Sequence, residues 1–381
     1  MASPWSVGIR PKRISALLGV VLILFTIWAY TWYSFDLKLL EVKIPSKGGD
    51  TKIEDMQDDK GVLFSLVRNE ELDGMLSSIG YVQKRYNNQF HSDWVFANDK
   101  PFTEEFKQKV TKTFTSGRAI FVRIPVEYWS YPEHIDLDRA AESRTLAQSK
   151  GMAYGGSEEY RHMCRFNSGF FYKLEALKPY RYYWRIEPNV KFVCNFKEDP
   201  FEVMKNNSFI YGWTMTMGEF ADTVPTLWDT TQTFLKKNNG LISKKNMYNF
   251  VTDDNGDTYN LCHYWSNFEI GDLEFYRSKD SPYEKYFQYL DKAGGFFYER
   301  WGDAPVHSIA MSLFVPSDKI YHFANTGYYH KPNQGCPVDE FVRQDLQCDC
   351  NPRKDFTFHK FSCTRKYYKV KGLEFPGPAE D

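Results

Sequence analysis

Arg185 and Glu187 stand two residues apart at the end of RYYWRIEPNV (181–190), a run of aromatic and branched residues that Pro188 stops. The run reads as a strand, and its end has two readings: an edge strand with a solvated tip, or the rim of a binding site. A carboxylate projecting past a sheet edge supplies one hard oxygen for a divalent cation. An arginine beside it can clamp phosphate oxygens bidentately, or simply pair with the acid. A cation needs more than one protein ligand, and His330 in GYYHKP is a candidate for the second. The alternative for His330 is a packed loop histidine. Arg165 is a further candidate for phosphate, with a structural ion pair as its alternative.

Glu269 lies among Trp265, Phe268 and Ile270 in YNLCHYWSNFEIGDLEF (259–275). An apolar setting raises a carboxyl pKa by desolvation unless a partner compensates, so Glu269 is either chemically active or a buried acid paired with an arginine. In RWGDAPVHSIA, Asp303 and His307 flank Pro305, which puts an acid on a turn where it could face a sugar or orient Glu269. The chain has no P-loop, no G-x-G-x-x-G, no H-E-x-x-H and no G-x-S-x-G. The commonest nucleotide, metalloprotease and serine hydrolase mechanisms therefore lack support.

These residues need a scaffold, and the pattern supplies one. GVLFSLV (61–67) reads as a buried parallel strand, and Leu72, Met75, Leu76, Ile79, Val82 and Tyr86 follow at helical spacing. WVFA (94–97), a helix opened by Thr103 with Glu104 and Glu105 in its first turn, and AIFVRI (119–124) repeat the unit. Helices are predicted over 138–148, 226–237 and 282–291, and a strand over 208–215. Residues 152–171 read as a glycine turn and 259–276 as loop-rich. The alternation predicts an α/β domain with a doubly wound, mostly parallel sheet, whose ligands sit at the carboxyl ends of the strands.

Residues 14–33 carry no charge over twenty positions, enough to cross a bilayer as one helix. Arg10, Lys12 and Arg13 precede this stretch and Asp36 follows it, so the positive-inside bias predicts a cytosolic tail over 1–13 and a signal-anchor over 14–33. Residues 34–60 read as a polar stem and 61–381 as one domain on the lumenal side. Seven cysteines (164, 194, 262, 336, 348, 350 and 363) on that side are expected to pair and leave one over. Zinc at Cys348, Cys350, His359 and Cys363 is the competitor, but the spacing lacks a paired C-x-x-C. Asn206-Asn207-Ser208 is a glycosylation acceptor. With 48 Lys and Arg against 49 Asp and Glu, the chain has no overall field to hold nucleic acid, and an anionic ligand must be gripped locally. Aromatics at 18% suit stacking on sugar rings or bases, and suit core packing equally well.

GGSEEYRHMCRFNSGFF, YYWRIEPNVKF, PTLWDTT, YNLCHYWSNFEIGDLEF, GGFFYERWGDAPVHSIA and IYHFANTGYYHKP occur in this order. Together with the stretch from Phe64 and the cysteine tail, they closely resemble the fungal Golgi α-1,2-mannosyltransferases of glycosyltransferase family 15. The resemblance implies a GT-A type fold with a Rossmann-like sheet, preceded by a single transmembrane helix. It implies a retaining enzyme of the Golgi membrane, single-pass type II, that moves mannose from GDP-mannose to mannosylated glycoprotein acceptors, O-linked or N-linked, with Mn2+. On the matching positions, Glu187 and His330 would hold the metal, and Arg68, Tyr154, Tyr160, Arg165 and Arg185 would lie at the nucleotide and sugar diphosphate. Glu269 would be the catalytic carboxylate, as nucleophile or as stabiliser of an oxocarbenium ion, with Asp303 lining its pocket. The chain departs from the D-x-D metal motif of many GT-A enzymes in having Asn189 two residues after Glu187. Mannosylphosphate transfer, an accessory role in it, and a membrane-anchored mannan-binding lectin are the competing functions.

Overall fold

The computed structural model describes residues 40–42 and 60–377. The predicted anchor over 14–33, and the stem apart from residues 40–42 and Lys60, lie outside the described residues. Among the described residues no helix is long and apolar enough to cross a membrane.

Thirteen strands are described: β1 (Leu40–Val42), β2 (Gly61–Leu66), β3 (Asp93–Asn98), β4 (Ala119–Arg123), β5 (Tyr182–Arg185), β6 (Lys191–Phe192), β7 (Tyr211–Trp213), β8 (Thr216–Gly218), β9 (Cys262–Tyr264), β10 (Glu269–Asp272), β11 (Ile320–His322), β12 (Tyr328–His330) and β13 (Asn333–Gly335). The large sheet runs β1-β4-β3-β2-β5-β10-β7-β11, and two small sheets run β13-β12-β6 and β8-β9. Pairs β4/β3, β3/β2, β2/β5 and β7/β11 are parallel. β10 lies antiparallel between β5 and β7.

Both faces of the large sheet are buried, which explains the unbroken apolar runs. Val62 and Phe64 of β2 point into one hydrophobic core, and Leu63 between them points into the other. The strand period of two thus feeds two helical layers from one sequence. Thr103 caps the helix Glu104–Thr113 as expected, its hydroxyl accepting from the Phe106 amide.

Three local readings change. Residues 158–169, within the predicted glycine turn, form a helix opened by Ser157, whose Oγ accepts from the Tyr160 amide. Glu158 and Glu159 in its first turn favour that end electrostatically. The predicted strand over 208–215 is confined to β7. The loop-rich region contains β9, β10 and a short helix, Leu273–Arg277. β10 is only four residues, EIGD, and its Gly271 lets Tyr183 of β5 approach so closely that a Cβ would fall 2.5 Å from the tyrosine ring.

Three disulfides, Cys194–Cys348, Cys262–Cys363 and Cys336–Cys350, tie the tail to the domain, and Cys164 is left buried and unpaired. The pairing expectation is met. Cys348, Cys350 and Cys363 are all consumed, so the zinc alternative loses its thiolates.

Candidate active site

β5 ends at Arg185, and the chain leaves the sheet through Ile186 and Glu187. The following turn is clamped from behind by the helix Leu72–Val82. Ser78 Oγ donates to the Glu187 carbonyl (2.9 Å) and accepts from the Val190 amide (3.0 Å), and the Asn189 amide donates to the Gly74 carbonyl (3.0 Å). Asn189 takes a left-handed φ of 64° and lies so close to Gly74 that a Cβ there would sit 2.6 Å from its side-chain nitrogen. Asparagine tolerates that conformation better than most residues. Asn189 thus helps to shape the turn, through its backbone amide and its left-handed φ.

The same turn leads into β6, which pairs antiparallel with β12 in the register Tyr328–Phe192 and Tyr329–Lys191. Continued by one residue, that register sets His330 beside Val190 and the Glu187 turn. His330 stands edge-on to Trp265, at 5.2 Å between ring centres, and its buried Nδ1 has no hydrogen-bond partner. Burial pushes its pKa down, while Glu187 opposes with the strongest upward pull. A neutral imidazole with an unclaimed nitrogen near a carboxylate is what a divalent metal requires. Glu187 and His330 therefore fit a metal site.

Arg185 is buried and held from two sides. Its Nε donates to Glu187 Oε1 (2.6 Å) and its Nη1 to Asp303 Oδ2. Ser266 Oγ also donates to Asp303 Oδ2 (2.9 Å). Burial pushes the Asp303 carboxyl up, but Arg185 and His307 outweigh it and hold it below the ordinary aspartate value. Burial likewise works against the Arg185 charge, and Glu187, Asp303 and Glu269 together more than compensate. Asp303 is not on a turn. It opens the helix Asp303–Phe314, with Pro305 tolerated in the first turn.

Glu269 opens β10. Because β10 runs antiparallel, its first residue lies at the same edge where the parallel strands end. Glu269 is 1% exposed, and its Oε2 accepts from Tyr211 (3.0 Å) and lies 2.9 Å from His307 Nδ1. The predicted alternative of an arginine partner is replaced by a tyrosine and a histidine.

Arg68 follows β2 at the same edge, exposed and paired loosely with Glu71, with Glu159 adding to its field. Tyr154 and Tyr160 stack face to face, with ring centres 4.4 Å apart, and the Arg300 guanidinium lies 5.2 Å from the Tyr160 ring. Tyr154 is 65% exposed and so presents a free aromatic face. Burial pushes the Tyr160 hydroxyl pKa well up, and Asp303 is among the charges acting on it. Arg165 does not join this group: Asp291 takes its Nε (2.6 Å) and Nη2 (2.9 Å), the Ser130 carbonyl takes Nη1, and Phe170 packs over it. Its phosphate role gives way to the structural ion pair.

Ser266, Tyr211, Glu219 and Arg300 enter the site without having been predicted. Arg300 pairs with Glu219 at 3.5 Å. None carries a local signature, since each is recruited by a tertiary contact. His307 had one: it lies four residues after Asp303, on the same helix face.

The assembled edge has one bound guanidinium, two metal-capable side chains and an aromatic platform, a set suited to a metal-bridged diphosphate carrying a sugar. A family model described as glycolipid 2-alpha-mannosyltransferase matches residues 41–372. The chain is 51% identical over 315 residues to glycolipid 2-alpha-mannosyltransferase 1 of Candida albicans, covering 83% of this chain and 72% of that protein. It is 45% identical over 312 residues to the O-glycoside alpha-1,2-mannosyltransferase omh1 of Schizosaccharomyces pombe, covering 82% and 79%. The crystal structure of core-mannan synthase A (CmsA/Ktr4) of Aspergillus fumigatus, in its Mn/GDP form, has a TM-score of 0.78 at 38% identity, covering 88% of this chain and 94% of that one. The mannosyltransferase Ktr4p of Saccharomyces cerevisiae in complex with GDP has a TM-score of 0.78 at 34% identity, covering 88% of each. With this family match over most of its length and a GT-A fold beneath it, the chain belongs to the glycolipid 2-alpha-mannosyltransferase family, glycosyltransferase family 15, and is a mannosyltransferase.

Proposed function

We propose that the protein transfers mannose from GDP-mannose, with retention and with Mn2+, to the 2-hydroxyl of mannose on O-linked or N-linked glycans. The observation that carries this reading is the orphaned Nδ1 of His330 beside Glu187 at the strand edge where Arg185 is anchored. Support comes from the relatives named for α-1,2 transfer and from solved neighbours holding Mn and GDP. Glu187 and His330 would hold the metal, which when bound supplies Lewis-acid neutralisation of a diphosphate leaving group. Arg185, fixed between Glu187 and Asp303, places a permanent positive charge beside that group without reorganisation. Arg68 adds a second cation at the mouth, and Tyr154 and Tyr160 offer a stacking face. Glu269 is enclosed and doubly bonded, which favours stabilising positive charge on the sugar over direct attack on it.

The uncharged stretch over 14–33, the charge bias around it and three disulfides support reading the protein as a type II Golgi membrane protein with the domain in the lumen. The test is incubation of the detergent-solubilised full chain with GDP-mannose and α-mannoside acceptors, with and without Mn2+, followed by linkage analysis. A metal-dependent α-1,2-mannose product supports the proposal. An acid-labile mannosyl phosphodiester would replace it with mannosylphosphate transfer, and mannan binding without GDP release would replace it with a lectin.

A further inference from the structure

His307 is fully buried on the helix Asp303–Phe314, and both of its ring nitrogens face oxygen. Nε2 lies 3.0 Å from the Asn167 carbonyl, which can only accept, so Nε2 carries a proton. Nδ1 lies 2.9 Å from Glu269 Oε2, the oxygen that already accepts from Tyr211. Around the ring stand Phe171, Tyr276 and Tyr283, which offer no strong charge, and beyond them Arg185 and Asp303. Three carboxylates, Glu187, Asp303 and Glu269, thus surround one guanidinium, and a second cation brings the buried group nearer to neutrality.

Resting on the mannosyltransferase reading, we infer that His307 is a positioning residue for transfer: an imidazolium between Glu269 and the Asn167 carbonyl that fixes Glu269 as a charged, immobile carboxylate at the floor of the site. The electrostatics agree. Burial opposes a charge on His307, but Glu269 and Asp303 outweigh it and hold its pKa above the ordinary histidine value. A residue with this role never touches substrate, so its loss acts on turnover and leaves donor binding alone.

Two measurements on the full chain test this. In 15N-histidine-labelled wild type, one ring has both nitrogens at imidazolium shifts at pH 7, and that signal is absent from His307→Gln. In kinetics, His307→Gln lowers kcat roughly a hundredfold with the KM for GDP-mannose within about threefold, the size of loss typical of a fixed electrostatic group. Wild-type kcat is expected to fall at alkaline pH as the His307 imidazolium loses its proton, and that fall should be absent from the variant. A single-proton tautomer for His307, or wild-type kcat in His307→Gln, overturns the inference. If the variant does not fold, the wild-type nitrogen shifts still decide. If wild type does not use GDP-mannose at all, the donor assignment fails, while the nitrogen shifts report on His307 independently.

Discussion

Asp303 and His307 lie four residues apart on one helix and hold different charged partners, Asp303 holding Arg185 and His307 facing Glu269. One helix face therefore sets the spacing between the guanidinium and the enclosed carboxylate. Asp303→Asn removes one of the two carboxylates bonded to Arg185 and leaves that cation with Glu187 as its bonded acid and Glu269 nearby. Breaking a buried pair from one side is costly, and with Glu187 still in place the expected loss is about 2–4 kcal/mol. Urea unfolding measures it. A loss near zero would mean that Glu187 and Glu269 suffice to compensate Arg185.

His330 carries a different liability. Its buried, unpaired Nδ1 costs stability in the metal-free protein, a cost on the order of 1–3 kcal/mol for a buried polar group without a partner. His330→Phe removes that nitrogen and keeps a ring against Trp265. It should raise the melting temperature of metal-free protein by a few degrees while abolishing Mn2+-dependent transfer. A variant that kept metal-dependent activity would disprove the ligand assignment.

How much of this was legible follows the range of the contacts. β2, β3 and β4 were readable because strands buried on both faces announce themselves as continuous apolar runs. β10 was hidden by its brevity and by acids at both ends, although it occupies the middle of the sheet. Glu187 was visible at a strand end stopped by proline. Its nearness to His330 depends on the β6–β12 register, which no local pattern encodes. Arg165 failed for a related reason: its type suggested phosphate, but the tertiary fold brings Asp291 against it first.

Asn189 offers a test of why the metal motif is incomplete. Asn189→Asp restores an acid two residues after Glu187, yet the side chain at this position lies against Gly74 of the helix that clamps the turn. The substitution should therefore leave the Mn2+ dissociation constant within about twofold, since an acid that does not reach the ion adds no ligand. Titration of Mn2+ by electron paramagnetic resonance distinguishes the cases. A tenfold tightening would show that the turn can present residue 189 to the metal.

The buried histidines give the protein two opposed pH limits. His322 stacks on Trp213 at 3.9 Å, and burial pushes its pKa down to about 3. It is neutral when folded, whereas the unfolded chain takes up its proton below about 6.5, so folding loses about 1.4 kcal/mol per pH unit from 6.5 towards 3. Burial shifts His162 and His263 in the same direction and steepens this acid limb. His307 has the opposite sign, because its folded pKa is raised. Its contribution is complete below about 6.5 and is lost as pH rises through the folded value. Urea unfolding from pH 4 to pH 9, with disulfides intact, should show a maximum between the two limbs. His322→Gln should flatten the acid limb, and His307→Gln the alkaline one. An alkaline limb unchanged in His307→Gln would mean that the Glu269–His307 pair is neutral in the folded protein.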